Sequence, residues 1–133
     1  MGRKTTIDYL TIASTSNASD FGDLRTQTHM GAANVGASNS NTYGLYLGGY
    51  KGTSGGQTTD MEYVTMASTG NTQFWGSLTV AGWQCGGISN PTRGIRHGAI
   101  YATWQGGQYV DNNKIVYWSF AITFTATAFG TFV

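Results

Sequence analysis

The residues Tyr9-Leu10-Thr11-Ile12-Ala13-Ser14-Thr15-Ser16-Asn17 return as Tyr63-Val64-Thr65-Met66-Ala67-Ser68-Thr69-Gly70-Asn71, 54 residues further along. The return limb Phe21-Gly22-Asp23-Leu24 comes back at the same interval as Trp75-Gly76-Ser77-Leu78. A third, altered copy runs from Val116-Tyr117-Trp118-Ser119-Phe120-Ala121-Ile122-Thr123 to Phe129-Gly130-Thr131-Phe132, with Tyr117 again 54 residues beyond Tyr63. A fixed period near 50 residues means one local unit built repeatedly and stacked on its neighbours.

The unit reads as strands. From Ile7 to Thr15 apolar or β-branched residues alternate, with Ile7, Tyr9, Thr11 and Ala13 on one face and Leu10, Ile12 and Ser14 on the other. Ser16-Asn17, and Gly70-Asn71 in the second copy, read as the hairpin turn because Gly and Asn tolerate positive φ. The alternating limb and its aromatic-Gly return form a hairpin, unit B. Between B hairpins, Ser38-Asn39-Ser40-Asn41-Thr42-Tyr43-Gly44-Leu45 and Ser89-Asn90-Pro91-Thr92-Arg93-Gly94-Ile95, 50 residues apart, form a second type, unit A. Gly48-Gly49 offers no side chain, so another backbone is expected close by. No capped helical pattern occurs. The expectation is one all-β domain over residues 1–133, in the order B-A-B-A-B, with copies at about 7–60, 61–114 and a partial 115–133.

Composition excludes several functions. Charged residues make up 10 % of the 133-residue chain and the net charge is +1, so there is no basic field for nucleic acid. No run approaches the ~20 apolar residues of a membrane helix, so membrane insertion is not expected. Arg3-Lys4 is not followed by an apolar run, so no signal peptide is read. The single cysteine, Cys85, cannot make an intrachain disulfide. Asp20-Phe21-Gly22 spells a kinase metal triplet, but its repeat partners are Phe74-Trp75-Gly76 and Ala128-Phe129-Gly130, so the acid is dispensable to the element. Asp8 and Glu62 fall on separate hairpins, and Val116 stands in the third place. His29, His97 and Cys85 lack the paired spacing of a zinc site. No catalytic, metal or cofactor residue is assigned, and the chain reads as a non-enzyme.

The repeated Tyr-(Leu/Val)-Thr-(Ile/Met)-Ala-Ser-Thr-(Ser/Gly)-Asn, the Phe/Trp-Gly-x-Leu return and Ser-Asn-Pro-Thr-Arg-Gly-Ile at residues 89–95 resemble tandem repeats of bacteriophage structural proteins, notably tail-fibre-like proteins of cyanophage type. Leu47-Gly48-Gly49, Tyr63 and Trp75 follow the order of kelch repeats, to which those phage repeats are similar. The resemblance covers about Ile7 to Val133. It implies kelch-like β-propeller blades and a virion structural protein, made in the host cytoplasm as a small fibre, knob or decoration subunit. Its implied partners are copies of itself and other virion proteins. A closed propeller needs at least four blades, and about two and a half copies are present. Either oligomerisation completes the blades, or the hairpins close as a monomeric β-prism or β-sandwich. Gly98-Ala99 replaces Gly48-Gly49, and Arg93 replaces Tyr43, in the second copy.

Two residue sets follow. The third B copy is the most apolar, so Trp118, Phe120, Ile122, Phe124, Phe129 and Phe132 are the candidate partner interface. Tyr43, Tyr46, Tyr50, Trp83, Trp104 and Tyr109 lie in or beside the A units and loops. They are the candidate contacts for a host-surface carbohydrate in the alternative reading, a lectin-like receptor-binding module, because aromatic rings stack on sugars.

Overall fold

The computed structural model describes residues 5–25, 36–50, 56–102, 109–111, 113–123 and 125–133. These contain twelve strands and no helix. The B hairpins are β1 (Thr6–Tyr9) with β2 (Ser19–Asp23), β5 (Asp60–Thr65) with β6 (Gln73–Ser77), and β11 (Lys114–Ser119) with β12 (Thr127–Thr131). The A hairpins are β3 (Gly36–Asn39) with β4 (Tyr43–Leu47), and β7 (Gly86–Ser89) with β8 (Arg93–His97). A short hairpin, β9 (Ile100–Ala102) with β10 (Tyr109–Asp111), lies between β8 and β11 in the chain.

The first strands of the B hairpins begin at Thr6, Asp60 and Lys114, and the second at Ser19, Gln73 and Thr127, each step being 54 residues. Each hairpin carries a register shift at the same place, between Ile7 and Asp8, Met61 and Glu62, and Ile115 and Val116. The unpaired residue opposite each shift is Phe21, Trp75 or Phe129. A bulge bends its strand and re-aims one side chain, which explains the aromatic-Gly pair in every copy. The closing bonds recur as well: the N–H groups of Leu24, Leu78 and Phe132 donate to the carbonyls of Thr5, Thr59 and Asn113 at 2.8, 2.7 and 2.8 Å.

The strands pair antiparallel in two four-stranded sheets, β3-β4-β5-β6 and β7-β8-β11-β12, and two two-stranded ones, β1-β2 and β9-β10; none closes into a barrel. Each four-stranded sheet joins an A hairpin to the B hairpin that follows, so β5 and β11 are central strands while β1 pairs only with β2 among the described strands. The A turns are fixed by short polar side chains: Ser40 Oγ accepts from the N–H groups of Thr42 and Tyr43 at 3.1 and 3.0 Å, and Asn90 Oδ1 from those of Thr92 and Arg93 at 2.9 and 2.8 Å. Such residues mimic a turn's own backbone bond.

The B turns correct the sequence expectation. The strands stop at Tyr9, Thr65 and Ser119, and the chain turns at once, Ser14 N–H donating to Thr11 C=O at 3.2 Å and Ser68 N–H to Thr65 C=O at 3.3 Å. The Ser16-Asn17 and Gly70-Asn71 pairs lie after this turn. Ile12, Met66 and Phe120 fall in the turn itself, where Phe120 is buried in the core and Ile12 and Met66 are exposed. They do not continue a strand.

The core joins the two large sheets. Leu45, Leu47, Met61, Trp75 and Leu78 from the first pack with Val116, Trp118, Phe120 and Ala126 from the second. Glycines permit the closest approaches. A Cβ on Gly87 would overlap the Ala37 carbonyl, and one on Gly94 the Trp118 indole. Gly48 has φ +74°, and a Cβ there would be 2.7 Å from the Gly82 carbonyl oxygen. That is the backbone approach expected at Gly48-Gly49.

Candidate assembly surfaces

The apolar residues of the third B copy divide into two groups. Trp118 and Phe120 are 3 % and 8 % exposed, and their rings meet edge to face at 6.4 Å. They belong to the core, which corrects their assignment as partner-facing. The reason is the register: Trp118 sits opposite Gly94 on β8, and that glycine leaves room for the indole inside the sheet packing. Ile122, Phe129 and Phe132 are 61 %, 69 % and 48 % exposed. Phe124 lies outside the described residues.

Position by position, the same repeat sites differ in exposure. Leu24 and Leu78 are buried, whereas Phe132 is not. Trp75 is buried, whereas Phe129 is the most exposed ring among the described residues of the B copies. At the other end of the chain, Leu10 is 62 % exposed although Val64 and Trp118 are buried at its equivalents. At the turn position Ile12 is fully exposed and Met66 is 46 % exposed, whereas Phe120 is buried. Thr72 and Ala126 are buried, and Ala18 is exposed. Sites closed between neighbouring copies are therefore open on β1-β2 on one side and on β11-β12 on the other.

Polar chemistry at the internal junction is specific. Glu62 is 3 % exposed, and its Oε2 accepts from Thr72 Oγ at 2.6 Å and from the Arg25 N–H at 3.0 Å. Arg25 is 3.6 Å from Asp60 and lies over the Phe74 ring at 5.2 Å. With its side chain 46 % exposed, that ion pair contributes little. Arg96 is 2 % exposed, and Nη1 donates to the Val80 carbonyl at 3.1 Å. Among the described residues no three His, Cys, Asp or Glu side chains converge on a common point. None of the helices long and apolar enough to cross a membrane occurs among them.

The carbohydrate set is dispersed. Tyr43 packs edge to face with its neighbours, its ring 5.3 Å from Tyr63 and 5.2 Å from Trp75. It is half-buried and lines a hollow. Tyr50 and Trp83, both half-buried, pack on each other at 6.1 Å. Trp104 and the side chain of Tyr109 lie outside the described residues. The hollow beside Tyr43, walled also by Ser40, Pro91, Thr92 and Phe120, holds about 220 Å³, below the ~300–1,000 Å³ usual for small-molecule sites.

Tyr46 is half-buried, and desolvation raises its phenol above the usual value. Burial favours the neutral form. Its contribution to stability is therefore complete below about pH 10, where the unfolded phenol is still neutral, and is lost as pH rises through the raised native value. Thermal unfolding of wild type should weaken across that alkaline window, and Tyr46→Phe should flatten the dependence. An identical slope in both proteins would assign it to other groups.

No family model matches this sequence, and no curated protein matches it at a significant level.

Proposed function

We propose that the chain is a non-enzymatic structural subunit of a bacteriophage particle, a small fibre, knob or decoration protein that works by packing on copies of itself and on other virion proteins. In this reading the two four-stranded sheets are kelch-like propeller blades, β1-β2 is the outer half of a third, and oligomerisation completes the ring or stack. The phage attribution rests on the repeat resemblance. The assembly role rests on one observation: Leu10, Phe129 and Phe132 are exposed at positions whose equivalents Val64, Trp75 and Leu78 in the middle copy are buried. A terminal repeat that closes an array on its own has a polar outer face; these faces are apolar. A strand edge with no partner among the described strands, such as that of β1, also favours pairing with a further chain.

The measurement is sedimentation of the purified chain over a wide concentration range. A concentration-dependent multimer is expected. A monomer at every concentration would replace this reading with a closed monomeric sandwich or prism. The lectin-like reading ranks below it, because of its six aromatic residues only Tyr50 and Trp83 form a described surface pair, and they cover one another.

A further inference from the structure

We infer that two copies of this chain dock head to tail, with Ile12 of one copy seated in the hollow formed by Arg93, Ile95, Tyr117 and Phe129 of the other. The inference rests on the self-assembly reading above and specifies its contact. The hollow, about 200 Å³, lies on the β8-β11-β12 sheet. By the 50- and 54-residue offsets its four walls are the counterparts of Tyr43, Leu45, Tyr63 and Trp75 in the preceding sheet. There the same site is closed: Tyr43, Tyr63 and Trp75 form an edge-to-face cluster, and Phe120 from the next hairpin covers Trp75 at 6.2 Å. Leu45 is 1 % exposed as a result, whereas its counterpart Ile95 is half-buried. The residue that would cover the open hollow is therefore one at the Phe120 position of a following hairpin. In β1-β2 that position is Ile12, which projects fully into solvent. Met66, at the same position of the second hairpin, follows the two-stranded β1-β2, which has no A hairpin beside it among the described strands, and is 46 % exposed.

The backbone repeats the same argument independently. Thr72 N–H donates to the Asp23 carbonyl and Ala126 N–H to the Ser77 carbonyl, both at 2.8 Å. One step further, the donor position on the leading hairpin is Ala18 and the acceptor position on the trailing hairpin is Thr131. Glycine contacts agree. A Cβ on Gly22 would overlap the Gly70 carbonyl of the next hairpin, whereas among the described residues nothing lies within 4 Å of a Cβ on Gly130. The trailing hairpin thus carries the acceptor and the glycine gap of an internal junction without the hairpin that fills it. Charge is complementary too: the leading hairpin exposes Asp8, Asp20 and Asp23, and the trailing side exposes Arg93 and Lys114. Opposite-sign surfaces steer association and make it salt-sensitive. The contact is heterologous, with different surfaces on the two copies, so it extends into rings or filaments.

Two variants separate the surfaces. Ile12→Asp places a charge on the leading hairpin at a fully exposed position, and Gly130→Trp fills the trailing gap where there is open space. Both should fold, as circular dichroism and melting will report. Each alone should sediment as a monomer where wild type is multimeric, a loss of affinity of at least about tenfold, or about 1.4 kcal/mol. Mixed one to one, they should form a dimer and nothing larger, because the intact tail of the first meets the intact head of the second. Raised salt should weaken that dimer. Variants that multimerise like wild type, or a mixture that stays monomeric while wild type assembles, would overturn the head-to-tail contact and leave self-assembly standing. A monomeric wild type would overturn both.

Discussion

Trp118→Ala is expected to lower the unfolding free energy by about 3–5 kcal/mol, the usual cost of deleting a buried aromatic side chain. Trp118 is 3 % exposed on the central strand β11, lies over Gly94 and meets Phe120 edge to face. The surrounding sheet is held by β8 on one side and β12 on the other, so the vacated volume cannot collapse freely, and the cavity cost adds to the lost burial. A domain of this size has a total stability of only about 5–15 kcal/mol. The substitution should therefore shift Tm down by roughly 10–20 °C. The indole N–H has no hydrogen-bond acceptor among the described residues. Trp118→Phe consequently removes an unsatisfied donor along with some volume, and should cost less than about 1.5 kcal/mol. Urea unfolding of the three proteins tests both figures. A cost below that of the Phe variant for Trp118→Ala would return this residue to the outer surface.

The same residue shows where sequence reading reaches its limit. The run from Val116 to Thr123, a copy of the one that starts at Glu62, reads as a strand, and the structure places β11 at Lys114–Ser119, so the element was legible and its end was not. Which of its faces is inward was not. Trp118 and Phe120 read as surplus apolar residues because their counterparts are the smaller Val64 and Met66; the structure shows that Gly94 and the neighbouring sheet make room for them. Period and turn chemistry are local properties, and they predicted the hairpins and the Gly48 approach. The B turns came earlier than predicted because an apolar turn residue that packs inward is indistinguishable, by alternation alone, from one more strand residue. The candidate surface was half legible for a related reason: Phe129 and Phe132 were singled out at the trailing end, whereas Leu10 and Ile12 looked like ordinary strand residues. Only comparing exposure across copies marks them, since identical positions differ in what covers them and not in sequence pattern.

That comparison yields a matched pair of substitutions. Gly22→Ala should weaken docking of the first hairpin on the second by about 2–4 kcal/mol, combining a backbone conformation that L residues rarely adopt with overpacking against main chain. Gly22 has φ +151°, and a Cβ there would overlap the Gly70 carbonyl oxygen and stand 2.9 Å from the Asn71 nitrogen. Neither atom can yield by a rotamer change, so the two hairpins must separate. Separation breaks the bond from Gly70 N–H to the Phe21 carbonyl at 2.7 Å and from Asp23 N–H to Asn71 Oδ1 at 2.9 Å. It also exposes the buried carboxylate of Glu62, which takes the Arg25 N–H from that side. The damage should stay local, because β1 and β2 form their own sheet. Amide exchange should rise throughout β1 and β2 and in residues 70–72, while β4, β5, β8 and β11 keep their protection. Gly130→Ala makes the same chemical change at the equivalent site with open space around it, and should stay within about 0.5 kcal/mol of wild type. Equal effects at the two positions would mean that the repeat does not carry its junction from one copy to the next. A large effect at Gly22 alone locates the difference in what covers each hairpin, and the Gly130→Ala protein then supplies the sharper comparison: a side chain harmless to the monomer should still reduce association between copies.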